Sequence, residues 1–158
     1  MSNCIIETPL GITKITGNAE GISAIKVLDT KEVSLSDNIH SDLKDCVLQL
    51  NEYFNETRKS FSFKMNPNGS DFQKRVWKKL LDIPYGETIS YLELSNQLGD
   101  PKAIRAVASA NGKNPLWIVI PCHRVIGSDG NLTGYAGGLY RKQWLLNHEK
   151  GMVQHTLF

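Results

Sequence analysis

The sequence predicts a mixed α/β protein of the α+β kind, with a small strand-rich α/β unit over residues 1–65 and a mostly helical unit over residues 70–158. Three observations carry this. The first 30 residues hold short β-branched, partly alternating runs separated by Gly and Pro turn signals, the pattern of strands. From Ser41 the apolar spacing changes to that of a helix, and from Ser70 onward it is mainly helical. Between the two, the polar stretch from Asn55 to Ser70 contains Asn66-Pro67-Asn68-Gly69 and marks the expected boundary. A chain of 158 residues is long enough to bury a real core in such an arrangement.

The N-terminal strands are expected at residues 4–7, 11–16 and 21–27, turned by Pro9-Leu10-Gly11 and Gly17-Asn18. Leu43, Val47, Leu50 and Phe54 then form the apolar face of a helix over residues 41–54. Phe61-Ser62-Phe63 alternates and is expected to add a strand. In the second unit, Ser70 or Asp71 caps a helix with Phe72, Val76, Leu80 and Leu81 on its apolar face, and Pro84-Tyr85-Gly86 stops it. Ser90 caps a further helix carrying Leu92, Leu94 and Leu98, which Gly99 ends; Asp100-Pro101 opens the next, running through Ala110. Two short helices joined by Gly99-Asp100 are the layout of a helix-turn-helix. The second of them is made of small residues (Ala103, Ala106, Ala108, Ser109, Ala110), with Arg105 the one long charged side chain in its middle. So smooth a helix suits close packing against a neighbouring helix or close approach to a DNA groove. Leu116-Trp117-Ile118-Val119-Ile120 reads as a buried strand or a buried helical turn running into Pro121-Cys122-His123-Arg124. After a Gly-rich stretch, a helix over residues 139–149 closes the unit.

Composition narrows the function classes. The net charge is only +2, but residues 1–70 hold seven Lys/Arg against nine Asp/Glu, and residues 71–158 hold eleven against seven. The basic second half is compatible with a polyanion ligand and equally with scatter in a small sample. No apolar run approaches the roughly 18 residues of a membrane span, and Met1-Ser2-Asn3-Cys4 lacks a secretion signal's basic and apolar regions. An intracellular protein is expected: cytoplasmic, or nuclear in a eukaryote. Cys4, Cys46 and Cys122 form no Cys-x-x-Cys pair and leave at least one free thiol, ordinary in a reducing compartment. No Cys/His group has zinc-ligand spacing, so no metal site is expected.

Cys122 is the residue with most chemical promise. A thiol attacks as thiolate, and neighbouring cations or an imidazole favour that form; His123 and Arg124 follow it directly. A bare Cys-His dipeptide is equally that of a buried structural cysteine beside a surface histidine, and the surroundings decide. Pro121-Cys122-His123-Arg124-Val125 is preceded by Asn114-Pro115 and an apolar run, and followed by Tyr135-Ala136-Gly137-Gly138-Leu139 and Trp144-Leu145-Leu146-Asn147-His148-Glu149. Upstream stand Ile83-Pro84-Tyr85-Gly86-Glu87-Thr88, Ser90-Tyr91 and Pro101-Lys102-Ala103-Ile104-Arg105-Ala106-Val107. In this order, over about residues 71–150, these motifs closely resemble the O6-alkylguanine-DNA alkyltransferases, the methylated-DNA–protein-cysteine methyltransferases.

The resemblance implies a ribonuclease-H-like fold for residues 1–65 and a helix-turn-helix alkyl-acceptor domain for residues 70–158. It implies single-turnover DNA repair by direct reversal, an S-methyltransferase activity on O6-alkylguanine, and on O4-alkylthymine if the substrate range extends so far. Cys122 would accept the alkyl group; His123 would be its base through a water, oriented by Glu149; Tyr91 would protonate the leaving guanine. Arg105 would enter the duplex where the flipped base had been, with Tyr91, Ala106, Ser109, Asn114 and Arg124 counted among the DNA-binding residues. For Asn114 the resemblance adds packing of the turn before the active-site segment, and for Arg124 a structural role or a phosphate contact. Cys122, Val125, Tyr135 and Ala136 would line the base pocket; Ala136 stands where serine is frequent in the family. The implied partner is double-stranded DNA bearing the lesion, bound by a monomer without cofactor, metal or membrane. The alternative is a non-repairing alkyltransferase-like lesion binder, but those proteins carry Trp at the position of Cys122.

Overall fold

The computed structural model describes residues 1–30, 32–130, 132, 135 and 138–151. Their contacts divide the chain into two compact units that part between Asn68 and Gly69.

In the first unit, β1 (Ser2–Thr8), β2 (Gly11–Asn18) and β3 (Gly21–Val27) form an antiparallel meander in the order β1-β2-β3. Each turn leaves two residues between paired ends, Thr8↔Gly11 and Asn18↔Gly21, which fixes the register and so the face each side chain takes. Along β2 every second residue is buried. Helix α1 (Ser41–Phe54) covers that sheet, and Cys4, Ile15, Ile22, Ile25, Leu43, Cys46, Leu50 and Tyr53 make the core. The buried face of α1 is Leu43, Cys46, Leu50 and Tyr53; the expected Val47 and Phe54 are only half-buried. Both sets have helical spacing, and the sheet accepts the one rotated toward Cys46 and Tyr53.

The strand expected at Phe61-Ser62-Phe63 is not formed. Gln49 on α1 takes its polar groups instead: Ser62 N–H donates to Gln49 Oε1 (2.9 Å) and Gln49 Nε2 donates to Ser62 Oγ (3.0 Å). Pairing begins later, as one parallel bridge between Ile22 and Met65, with Ile22 N–H donating to Lys64 O (2.9 Å) and Asn66 N–H to Ile22 O (2.8 Å).

The second unit opens with α2 (Asp71–Leu80), capped reciprocally: Gln73 N–H donates to Ser70 Oγ (3.1 Å) and Ser70 N–H to Gln73 Oε1 (2.9 Å). Its buried face is Val76, Trp77 and Leu80; Phe72 is half-buried and Leu81 exposed. After the short strand β4 (Ile89–Ser90), helix α3 (Tyr91–Gln97) carries a second capping box, Ser90 with Glu93. Gly99, at φ +88°, lets the chain leave α3 in a conformation that other residues rarely adopt. Asp100 caps a 3₁₀ turn at Pro101–Ala103 through Lys102 N–H (3.0 Å), and α4 (Ile104–Gly112) follows. Helices α2, α3 and α4 pack together, and Trp77 Nε1 donates to Ala110 O (2.8 Å) in their interior. A second short strand, β5 (Val125–Ile126), pairs with β4 in parallel, and α5 (Leu139–Glu149) closes the unit. Among the described residues no helix is long and apolar enough to cross a membrane.

Candidate active site

Two short strands bring the site together. Ile89 pairs with Val125 and Ser90 with Ile126, so Tyr91, next after β4, and the 3₁₀ turn Cys122–Arg124, just before β5, start from one register. The segment leading into that turn is neither strand nor helix. Leu116 to Ile120 are all buried and fold into tight turns, with Ile120 N–H donating to Leu116 O, Val119 N–H to Trp117 O (both 2.8 Å) and Cys122 N–H to Ile120 O (2.7 Å). Ile118 sits at φ +71°, costly for a β-branched side chain and found where surrounding contacts enforce it. Asn114 supplies such contacts: its Nδ2 donates to Ile120 O (2.7 Å) and its Oδ1 accepts from Leu116 N–H (2.9 Å).

Behind the turn lies a buried ionic group. Glu149, at the end of α5, stands 2.6 Å through Oε2 from His123 Nε2, and it accepts from Arg124 Nε (2.8 Å, Oε1) and Nη2 (3.0 Å, Oε2) and from Gly86 N–H (3.2 Å, Oε1). Arg124 Nη1 donates to Ile83 O (2.7 Å). The Pro84-Tyr85-Gly86 turn is therefore tied to the site, and Gly86 adopts φ +82° while presenting its N–H. Burial alone would raise the Glu149 carboxyl, but the hydrogen bonds and charges of His123 and Arg124 outweigh it and hold the pKa well below the carboxylate range. Burial likewise lowers the His123 pKa; Glu149 opposes this, and Arg124 and Lys142 add to it. An ionised Glu149 only accepts, so the neutral imidazole carries its hydrogen on Nε2 and leaves the lone pair on Nδ1. His123 Nδ1 is buried and has no protein partner among the described residues.

Cys122 is itself buried, and burial raises its thiol pKa; hydrogen bonds with Asn114 and Tyr135 and the charge of Lys142 pull the other way. Burial thus favours the thiol over the thiolate, so the nucleophile needs a base to take its proton, the role the family resemblance implies for His123. Lys142, on α5, is fully buried with its Nζ 5.8 Å from the centre of the Tyr91 ring, and burial lowers its pKa to about 8, partly offset by Cys122. Asn111, on the inner face of α4, donates through Nδ2 toward Cys122 O (3.3 Å) and Tyr91 OH (3.5 Å).

Cys122, His123, Glu149, Tyr91, Asn114, Val125 and Tyr135 all fall in this region, and Ala136 lies outside the described residues. Arg105, Ala106 and Ser109 share the exposed face of α4, while Val107, Ala110 and Asn111 face inward. The inward side of α4 takes the helix packing that its small residues suggest. Two of the expected DNA-binding residues face inward, in the packing and structural roles that the resemblance also allowed them. Arg124 is buried with its guanidinium on Glu149 and Ile83, and Asn114 has its amide on the Leu116–Ile120 turn, so neither is laid out to meet a phosphate. Sequence reasoning missed Asn111 and Lys142, and it read the Ile83–Gly86 turn as a helix stop and a family motif without tying it to the site. A signal existed for both missed residues. Asn111 continues the buried spacing Val107-Ala110-Asn111, and Lys142 shares a face with Leu145, Leu146 and Glu149, and polar groups on an apolar face call for partners. Among the described residues no three His, Cys, Asp or Glu side chains are grouped to hold a metal ion.

A buried thiol, a histidine–carboxylate pair and two short helices joined by a tight turn thus lie in one compact unit. Two family models match the chain: the ribonuclease-like domain of 6-O-methylguanine DNA methyltransferase over residues 3–67 and its DNA-binding domain over residues 71–151. A methylated-DNA–protein-cysteine methyltransferase of Methanosarcina barkeri is 47% identical over 154 residues, covering 95% of this chain and 98% of its own. The protein of the same description from Mycobacterium tuberculosis is 44% identical over 155 residues, covering 96% and 94%. The crystal structure of Mycobacterium tuberculosis OGT in complex with DNA superposes with a TM-score of 0.87 at 42% identity, covering 98% of this chain and 96% of that one. The chain belongs to the methylated-DNA–protein-cysteine methyltransferase family.

Proposed function

We propose that this protein repairs DNA by direct reversal, moving a methyl or other alkyl group from O6 of guanine in duplex DNA onto Cys122, once per molecule. The observation that carries the reading is the buried Cys122 beside His123, whose Nε2 is held by Glu149 so that Nδ1 is basic. His123 Nδ1 takes the thiol proton through a water. The thiolate sulfur attacks the alkyl carbon, the S–C bond forms as the C–O bond breaks, and Tyr91 gives its hydroxyl proton to the departing guanine. The thioether has no low-barrier return to thiol, and the thiol itself receives the group, so the chemistry calls for no cofactor or metal. The target lies inside a stack and must be flipped out at a cost of a few kcal/mol; the exposed face of α4, with Arg105 rising from Ala106 and Ser109, suits insertion in its place. Val125 and Tyr135 line the base pocket.

Residues 70–158 carry the chemistry and DNA binding in this reading, with residues 1–65 a separate domain, and the protein acts as a monomer in the cytoplasm. O4-alkylthymine is a second substrate only if the pocket admits it. A lesion binder without repair is disfavoured, because it would have no use for the thiol and its base. The test is Cys122→Ala. It should abolish methyl transfer from duplex O6-methylguanine yet keep DNA affinity, which comes mainly from backbone contacts. Transfer surviving in that variant would move the acceptor to Cys4 or Cys46 and defeat the proposal.

A further inference from the structure

Asn111 is almost wholly buried at the last turn of α4, where a side chain of similar size without polar atoms would pack more simply. Its amide reaches two groups. Nδ2 lies 3.3 Å from Cys122 O and 3.5 Å from Tyr91 OH, while Oδ1 is buried with no partner among the described residues. The Cys122 carbonyl can only accept, so the amide must turn Nδ2 toward it and cannot be flipped to satisfy Oδ1. A buried amide oxygen left in that state is destabilising. The arrangement therefore gives up hydrogen bonding at Oδ1 to keep an NH₂ between Tyr91 and Cys122. With an N–H aimed at its oxygen, the Tyr91 hydroxyl directs its own hydrogen away from Asn111.

We propose that Asn111 is a positioning residue for alkyl transfer, whose amide, anchored on the Cys122 carbonyl, sets the direction of the Tyr91 O–H so that it meets the flipped guanine. The inference rests on the reading of Tyr91 as proton donor to the leaving base. An N–H donated to the phenol oxygen also stabilises the charge that gathers there as Tyr91 gives up its proton. Asn111 touches neither the alkyl group nor the sulfur and acts through Tyr91.

The test is a double-mutant cycle on the full-length protein: wild type, Asn111→Leu, Tyr91→Phe and the double variant. The readout is the single-turnover rate on a duplex holding one O6-methylguanine, with alkylation of Cys122 by iodoacetamide as a measure of the thiol alone. Asn111→Leu should slow methyl transfer about threefold to tenfold in the wild-type background, the worth of one modest hydrogen bond, and change it by less than about twofold once Tyr91 is Phe. Iodoacetamide alkylation of Asn111→Leu should stay within about twofold of wild type, because the Cys122 thiol keeps its hydrogen bonds with Asn114 and Tyr135. Asn111→Ser, which keeps a donor too short to span both acceptors, provides the same reading if the Leu variant does not fold. Equal slowing in both backgrounds, no slowing in either, or a parallel loss of iodoacetamide reactivity would overturn the proposal. A wild-type protein that transfers no methyl group would instead defeat the activity on which it rests.

Discussion

Glu149 shows how one carboxylate can serve both chemistry and structure. It holds the His123 hydrogen on Nε2 and is the counter-charge of the buried Arg124 guanidinium. Glu149→Gln keeps the shape but removes the charge, so methyl transfer should slow by roughly tenfold to a hundredfold, within the range a general base contributes. The pH dependence has a definite sign. His123 works as the neutral base, and its pKa already lies below the ordinary 6.5, so the wild-type rate should hold as pH drops past that value and fall only through the lowered one. Removing the Glu149 charge removes what raises that pKa, so the acid limb should move to still lower pH while the plateau falls. A pH–rate profile of Glu149→Gln superimposable on wild type would count against the pair. Folding must be checked first, because an unpaired Arg124 in the interior costs on the order of 3 kcal/mol. DNA affinity should be unchanged, because this group lies inside the protein.

The elements explain why some of this was legible in the sequence and some was not. Capping residues act locally, so Ser70, Ser90 and Asp100 all cap the helices their positions suggest. Tertiary choices were not local. The face of α1 was rotated by the sheet it covers, Phe61–Phe63 lost its strand to the Gln49 amide, and Trp77 joined the core of α2 through a bond to α4. The Leu116–Ile120 turn runs against the propensity of its own residues, because Ile118 would not choose a positive φ without Asn114 closing the loop. Cys122, His123 and Glu149 were readable only through the motif that contains them; spacing alone does not bring residue 149 to residue 123. At α4 the exposed position of Arg105 beside Ala106 and Ser109 can be tested directly. A side chain that fills the hole of a flipped base should matter for duplex DNA and not for the free base O6-benzylguanine. Arg105→Ala should therefore slow duplex repair about tenfold or more while leaving free-base transfer within about twofold, and Arg105→Lys should restore it only in part. Equal slowing on both substrates would place Arg105 in the support of the fold or pocket instead. A lost phosphate contact alone would appear as weaker binding with a salt slope smaller by about one.

For the molecule as a whole, the chain parts between Asn68 and Gly69, and every residue brought together around Cys122 belongs to the second unit. The polar, turn-rich stretch at residues 66–69 signalled that division, because backbone outside strands and helices needs residues that satisfy it locally. The ribonuclease-like character of the first unit had no motif to announce it and rests on the family match over residues 3–67. The central claim is that the protein is consumed by its own reaction, since a thioether at Cys122 leaves no nucleophile for a second cycle. The most direct measurement incubates the protein with a large excess of duplex O6-methylguanine DNA, counts methyl groups transferred per protein, and weighs the Cys122 peptide. Transfer should stop at about one methyl per molecule, with the added mass on the Cys122 peptide, as expected of an acceptor that is never regenerated. Sustained turnover beyond that, or a plateau with the methyl group on another cysteine, would contradict the account.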